Sequence, residues 1–597
     1  MSENRISNSH ELNNTDHTTG KNNYNAISNN GSPEFKTVGN SKKGFLEKTL
    51  SDRKSDIEKF IENNQVLKLT KKSNLNGDEK EQKPCIKPAI EVKISNKQKP
   101  IGNGSFGVVY DAKVAQLGNV DQDKAENEIE YAVKIPKKTN DSKSDPLNDI
   151  KKSQLLIREM VNFTKKTDSC ATLQTLELMV PVLGRVNVIL SSGKKQDAML
   201  MMKVDGKDGF DAIFGYKVQK PDGKEEYIEP IEGYNVKVCV DGGEYHCVAD
   251  PKISLDIAFQ KIFALRGLHD LGLVYGDVKI ENVMIQKEND KYIVRLIDIG
   301  SITKKDKNDC FTLSPLTAAP EGFVGGKRIG KYIPDPKFDV FANAVDLPYI
   351  FFGGVAKKHL QSCYKLEESS PRKIVASFNR IKNKAFHFKK WGWFKTLFMY
   401  IFQNDTYTKY VNDEKDYLSK LEESKVFAER EYFQDRLFLG DIFSAYEYAD
   451  SDDVEEMLKE YEQNGFERPD FSSPNFPKNM TNAQKMRYMH WHLGFLKTNK
   501  DIESGTGKNG EKGKGVYPIE VIHSLSLLQM YSTDPDPKKR ISSRVVERVL
   551  LHLKMTVDQW ENRQYRIKGM DDDLSKNEQK MVDIILPKNE ANKKNKS

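Results

Sequence analysis

The chain has 597 residues, 37% of them hydrophobic and 30% charged, with 94 Lys and Arg against 87 Asp and Glu, a formal net charge of +7. That length fits several domains, or one large domain with insertions and tails, and so mild a charge excludes a nucleic-acid protein argued from charge alone. Six cysteines without a C-x-x-C pair exclude a disulfide scaffold, make a structural zinc site a poor fit, and suit a reducing compartment.

The sequence has no long uncharged apolar run, and its first residues, MSENRISNSHELNN, lack an apolar signal region. The expectation is therefore a soluble protein, or one attached to a membrane surface. Residues 1–90 are rich in Asn, Ser, Thr, Gly and Lys and predict a mostly disordered region. Within it, Phe45, Leu46, Leu50, Ile57, Phe60 and Ile61 recur at roughly helical spacing, which predicts a short helix over 45–64. From residue 91 short β-rich runs begin, around Ile90–Ile94, Gly107–Tyr110 and Tyr131–Ile135. A helical stretch over 149–165 follows, then strands near 179–190 and 197–204. Repeated Asp-Gly and Gly-Gly signals within 205–250 predict inserted hairpins, and the chain turns mostly helical after 253.

Residues 101–110 read IGNGSFGVVY. Gly102, Gly104 and Gly107 form G-x-G-x-x-G, which lets a backbone approach phosphates without Cβ clashes. A dinucleotide fold would continue into a helix. Here VVYDAKV, including Val109, continues as a strand, which predicts a hairpin lying over a nucleotide. Downstream, Tyr131-Ala132-Val133-Lys134 puts a lysine on a strand between apolar neighbours, where it can reach phosphates beneath the hairpin. The next predicted helix carries Glu159, placed to hold Lys134 by an ion pair.

Residues 273–285, LVYGDVKIENVMI, contain Asp277, Lys279 and Asn282 as D-x-K-x-x-N. Asp298-Ile299-Gly300 follows a further strand. Ala319-Pro320-Glu321, then Asp339 in an apolar helix, then Arg540 in DPDPKKR complete the series. In this order the residues resemble the eukaryotic-type Ser/Thr protein kinase family. The resemblance spans about 95–350 and 515–555.

The resemblance implies an α+β, bilobal fold, with a β-rich N-lobe and a helical C-lobe. It implies transfer of the ATP γ-phosphoryl group to protein hydroxyls, with Mg²⁺. Asp277 would act as catalytic base and Lys279 would neutralise the transferring group. Asn282 and Asp298 would hold Mg²⁺, a hard cation that prefers oxygen. Val109 and Ala132 from above and Met284 from below would sandwich the adenine. Met201 to Val204 would form the hinge, with Met201 at its gate. Ser314 stands where the family carries a Thr that contacts the catalytic Asp and Lys.

The sequence also departs from the family. Tyr275-Gly276 replaces the usual His-Arg before Asp277, which implies activity without activation-loop phosphorylation. Ile299 replaces Phe, and Ile280 replaces Pro. Tyr275-Gly276-Asp277 is similar to the H-G-D of small-molecule kinases of the same fold, so a small-molecule or lipid kinase is the alternative. A kinase-like scaffold that binds a partner through 351–515 is the other.

Glu321 and Arg540 bracket extra material, read as a helical insertion over 351–515. Within it, residues 370–404 carry eight Lys or Arg and no acid, interleaved with Phe378, Phe386, Phe388, Trp391, Trp393 and Phe394. One reading is contact with a host protein or an anionic membrane surface. The other is a helical subdomain with solvated lysines. No nucleic-acid partner is expected. His490 and His492 lie two apart, which suits no helical metal site. The acidic run Asp450–Glu456 is read as a helix N-terminus.

The division is 1–90 mostly disordered, 91–204 N-lobe, 205–350 hinge, hairpins and catalytic part, 351–515 insertion, 516–560 end of the C-lobe, and 561–597 a charged tail expected to be disordered. The divergent loop, insertion and Asn/Lys-rich tails resemble eukaryotic-like kinases secreted as effectors by intracellular bacteria such as Legionella, which would place the protein in the host cytoplasm, at a membrane or free.

Overall fold

The structure, a computed structural model, describes parts of 91–159, most of 178–305, parts of 314–322, residues 335–356 and 363–365, most of 436–507, and 516–587. The predicted helix over 45–64, Gly104 and the basic stretch 370–404 lie outside the described residues.

The described chain is mixed α and β. It opens with β1 (Glu91–Lys93), β2 (Gly102–Asn103), β3 (Gly107–Ala112), β4 (Tyr131–Pro136), β5 (Val182–Ile189) and β6 (Lys195–Met202). These make one six-stranded sheet in the order β1-β5-β6-β4-β3-β2. β-Branched Val and Ile recur along β3 to β5, as a half-buried pleated surface favours. One face closes over a small core of Val133, Ile135, Val186, Val188, Ala198 and Leu200. Between β4 and β5, Lys152, Leu155, Leu156 and Glu159 are helical and lie at the spacing of one helix face.

β7 (Lys207–Asp208) leads into α1 (Gly209–Phe214), capped by Asp208, whose carboxylate accepts from the Asp211 amide. The hairpins expected within 205–250 are β8 (Tyr216–Gln219) with β9 (Glu225–Ile228), and β10 (Val236–Cys239) with β11 (Tyr245–Val248). The long helix α2 (Pro251–Asp270) then runs into β12 (Leu273–Val274), β13 (Val283–Glu288), β14 (Lys291–Leu296) and β15 (Thr303–Lys304). α3 (Pro336–Phe352) is capped by Asp335 and carries Pro at its start, where a missing N–H costs nothing. It is buried on nearly every side, as its apolar sequence FDVFANAVDLPYIFF dictates.

The described part of 351–515 is partly helical. β16 (Cys363–Lys365) pairs with β17 (Arg436–Phe438), and α4 (Leu439–Tyr446), α5 (Ser451–Gln463) and α6 (Asn482–Ser504) follow. The acidic run at 450–456 does start a helix: Asp450 caps α5 and Asp453 returns a bond to the Asp450 amide. β18 (Thr506–Gly507) pairs with β10, so two segments far apart in sequence meet in one small sheet.

α7 (Ile519–Ser532), α8 (Ser543–Thr556) and α9 (Lys576–Ile585) complete the described chain. α2, α3, α4, α6, α7 and α8 share one large core, separate from the core of the sheet.

The last stretch differs from expectation. Residues 561–587 are ordered, not a disordered tail: Ser575 starts α9 with a capping box, and Leu574, Val582, Ile585 and Leu586 enter the large core. Each such burial contributes about 1.5–3 kcal/mol. Four apolar anchors therefore outweigh a composition that reads as solvated. No helix among the described residues is long and apolar enough to cross a membrane.

Candidate functional site

Strand register builds one wall of the site. Val109 pairs with Lys134 and Asp111 with Ala132, while Ala132 pairs with Met201 and Lys134 with Met199. Directly opposed residues share a face, so Val109, Ala132, Lys134 and Met201 lie on one face of the sheet. Gly102 pairs with Val109, which closes the β2–β3 hairpin at the edge of this face. A Cβ at Gly107 would stand 3.0 Å from the Ile135 carbonyl oxygen and 3.1 Å from Lys134 Cγ, so glycine lets the hairpin press down on the lysine.

Met284 of β13 pairs with Asp208 of β7. That contact brings the chain just past Val204 onto the strand that follows residues 273–282.

The segment around Asp277 is a hydrogen-bonded cluster. Asp277 is 5% exposed. Its Oδ1 accepts from Ser314 Oγ at 2.8 Å, and its Oδ2 accepts from Asn282 Nδ2 at 2.9 Å and lies 3.1 Å from Lys279 Nζ. Lys279 also donates to Ser314 Oγ at 3.0 Å. Ser314 therefore touches both the acid and the lysine. Asn282 spends its amide N–H groups on the Asp277 carboxylate and, at 2.8 Å, the Asp277 carbonyl. Its carbonyl oxygen is the end left as an acceptor.

Asp298 follows β14 with φ +53°, a left-handed conformation that is uncommon and costly outside glycine. Such outliers persist where surrounding contacts over-determine them. Its Oδ1 lies 3.0 Å from Lys134 Nζ, with the two side chains 35% and 13% exposed. The Ile297 amide donates to the Asn282 carbonyl at 3.0 Å, which ties Asp298 to the Asp277 cluster through one residue of backbone. Five of the predicted residues, Lys134, Asp277, Lys279, Asn282 and Asp298, thus fall into two bonded groups joined by the main chain.

Glu159 Oε1 lies 2.6 Å from Lys304 Nζ on β15.

The loop itself is held from beneath. Asp339, wholly buried, accepts from the Tyr275 amide at 2.7 Å and the Gly276 amide at 2.8 Å. His269 Nε2 lies 2.9 Å from the same carboxylate, and His269 Nδ1 lies 2.8 Å from Ser543 Oγ. Sequence reasoning missed His269 and Ser543, because a lone His near a helix end carries no spacing signal. Gly276 has φ +86°, so glycine is what the turn into Asp277 requires. The Tyr275 hydroxyl donates to the Ile297 carbonyl. Burial, and then the Asp298, Asp277 and Asp339 carboxylates, push its pKa well above the ordinary tyrosine value, so it stays a neutral donor.

Glu321 and Arg540, 219 residues apart, meet in a two-pronged ion pair at 2.5 Å for each arm. The Arg540 guanidinium also donates to the carbonyls of Lys337 and Pro535. Its side chain is fully buried.

Chemically, the site offers a buried carboxylate fixed by three donors, a lysine beside it, a second lysine–carboxylate pair, and an amide oxygen. Asp298 and Asn282 supply hard oxygen donors of the kind Mg²⁺ takes. That ion leaves most of its positions to water and phosphate oxygens, so two protein ligands suffice. The described residues contain no group of three His, Cys, Asp or Glu arranged to hold a metal alone.

No family model matches the chain. Over 158 residues it is 30% identical to a probable serine/threonine-protein kinase, fnkB, of Dictyostelium discoideum, a match covering 26% of this chain. The chain spans about a quarter of that relative's length, 27%.

Proposed function

We propose that the chain is a two-lobed Ser/Thr protein kinase that moves the γ-phosphoryl group of ATP to a protein hydroxyl. The observation that carries this is the Asp277 cluster, fixed by Asn282, Ser314 and Lys279 and joined through Ile297 to the Lys134–Asp298 pair. Phosphoryl transfer needs positioning and charge neutralisation more than covalent chemistry, and these groups supply both.

In this reading the acceptor oxygen attacks the γ-phosphorus, the bond to the ADP oxygen breaks, and the hydroxyl proton passes to Asp277. Lys279 balances charge on the transferring group. Lys134 turns from Asp298 to the α- and β-phosphates. The backbone of the Gly102–Gly107 hairpin covers the phosphates, while Val109, Ala132 and Met284 enclose the base at the Met201–Val204 hinge. Asn282 and Asp298 would hold Mg²⁺, which supplies neutralisation of phosphate charge when bound. Gly276 offers no side chain to meet a phosphate on the following loop, which supports activity without loop phosphorylation.

Tyr275-Gly276-Asp277 also suits a small-molecule kinase. The buried Glu321–Arg540 bridge, which shapes the segment after the catalytic loop, favours a protein acceptor instead.

The test is transfer of label from γ-labelled ATP with Mg²⁺ to a generic protein acceptor. Label with wild type, and its loss in Lys134→Ala and Asp277→Ala, is the expected result. ATP binding without transfer to any protein would sink the reading.

A further inference from the structure

The insertion is not a module hung from a tether. Three chemically distinct contacts run from it to the Glu321–Arg540 bridge. The first is polar. Arg487 of α6 is 1% exposed and donates to Asp534 Oδ2 at 2.6 Å and to Glu447, just past α4, at 2.5 Å. The Asp534 backbone carbonyl in turn accepts from Arg540 Nε. The second is aromatic. Arg540 lies over the Phe341 ring at 5.1 Å, and Phe341 meets Phe443 of α4 edge-on at 6.4 Å. Phe443 then packs on Trp491 of α6 at 5.6 Å. The third is steric. A Cβ on Gly440 of α4 would stand 3.3 Å from Pro320 Cγ, so α4 lies directly against the Pro320–Gly322 turn.

All three end on the same turn. Asp277 lies on the near side of that turn, bonded to Ser314. A buried arginine shared by two carboxylates is costly to hold unless its geometry is fixed. A rigid strut to the turn uses that fixed geometry, whereas a freely moving partner-binding module would have no need of it.

We propose that the inserted helices α4 and α6 are an acceptor-positioning element: Arg487, Phe443 and Gly440 hold the Pro320–Gly322 turn, and with it the surface on which a protein acceptor lies beside Asp277. This rests on the protein-kinase reading. It gives the insertion a role in the reaction itself. Arg487 acts through Asp534 and Arg540, so it is a positioning residue.

The test uses the full chain, with dephosphorylated casein as acceptor. Arg487→Met removes the strut. Arg487→Met with Asp534→Asn also removes the buried one of the two carboxylates that the single variant leaves without Arg487, so it keeps the test open if the single variant fails to fold. The expected result is a rise of at least fivefold in KM for casein, with KM for ATP within twofold of wild type. Backbone amides of Ala318, Ala319 and Glu321 should exchange with deuterium at least tenfold faster, with 282–284 unchanged. Gly440→Val, which wedges α4 away from Pro320, should give the same split.

Unchanged casein KM and unchanged exchange at 318–321 in a folded variant would overturn the proposal. Equal loss in both KM values, with protection lost throughout, would overturn it too, since that is a purely structural role. If wild type transfers no label but exchange at 318–321 still rises, the kinase reading is what has failed, and the acceptor role falls with it.

Discussion

Lys304 Nζ lies 2.6 Å from Glu159 Oε1, while Lys134 Nζ lies 3.0 Å from Asp298 Oδ1. Glu159, the acid expected beside Lys134, bonds Lys304, which is carried on β15 six residues beyond Asp298. Lys304 therefore competes for Glu159. Both side chains are part-exposed, which limits such a pair to about 1 kcal/mol. Lys304→Met should raise the phosphotransfer rate by up to about fivefold, the factor that energy allows. Steady-state rates at saturating acceptor decide it. A rate equal to or below wild type in the folded variant would show that Lys304 does not compete.

Ser314 bonds both Asp277 and Lys279. Ser314→Ala leaves the charges in place and removes only the hydroxyl that aligns them. The expected effect is a fall in kcat of about tenfold, or about 1.4 kcal/mol, with KM for ATP unchanged. Ser314→Thr should restore most of it. Equal kcat in Ser314→Ala and wild type would remove Ser314 from the positioning of Asp277.

Lys261 of α2 and Asp346 of α3 form an ion pair at 2.6 Å with side chains 0% and 4% exposed. Burial pushes the Asp346 carboxyl up to about 6, and the Lys261 ammonium pulls the other way. Breaking such a pair by Asp346→Leu strands a buried charge and should cost about 3–5 kcal/mol. Lys261→Met with Asp346→Leu should recover most of that loss. The folded pKa of Asp346 exceeds its unfolded value, so its contribution is full below about pH 4 and fades as pH rises through 6. Wild type should therefore lose stability relative to the double variant from pH 5 to 7. Parallel denaturation midpoints over that range would count against this account.

How much was legible follows from where the information lies. The β3 and β4 strands, the Asp277–Asn282 spacing and the Asp339 helix were readable because each is local: a glycine pattern, a six-residue loop, an apolar run. Lys304–Glu159 was not, since it depends on how β15 docks on a helix 145 residues earlier in sequence. The segment 561–587 misled because Leu574, Val582 and Ile585 are sparse among charges. Only the core they enter makes them decisive. The β10–β18 pairing joins residues 238 and 507, which no local pattern announces.

His490 and His492 of α6, unremarkable as a metal pair, are both fully buried and each faces a tyrosine. Tyr446 Oη is 3.2 Å from His490 Nδ1, and Tyr461 Oη is 3.0 Å from His492 Nδ1. Burial pushes His490 down to about 4 and His492 to about 3, the latter helped by neighbouring His523. Both are therefore neutral in the folded protein. Their folded pKa values lie below the unfolded one near 6.5, so their stability is present above that value and lost as pH falls through it. At about 1.4 kcal/mol per unit for each group, moving from pH 7 to 5 should cost on the order of 4 kcal/mol. His490 also meets Phe443 edge-on at 5.2 Å, so the loss strikes the α4–α6 platform beside the Pro320 turn. His490→Gln with His492→Gln keeps a neutral polar group at each position and should flatten the acid limb. Chemical denaturation at pH 5, 6 and 7 reads it directly: if wild type and the double variant weaken in step, other groups govern the acid sensitivity of this helix.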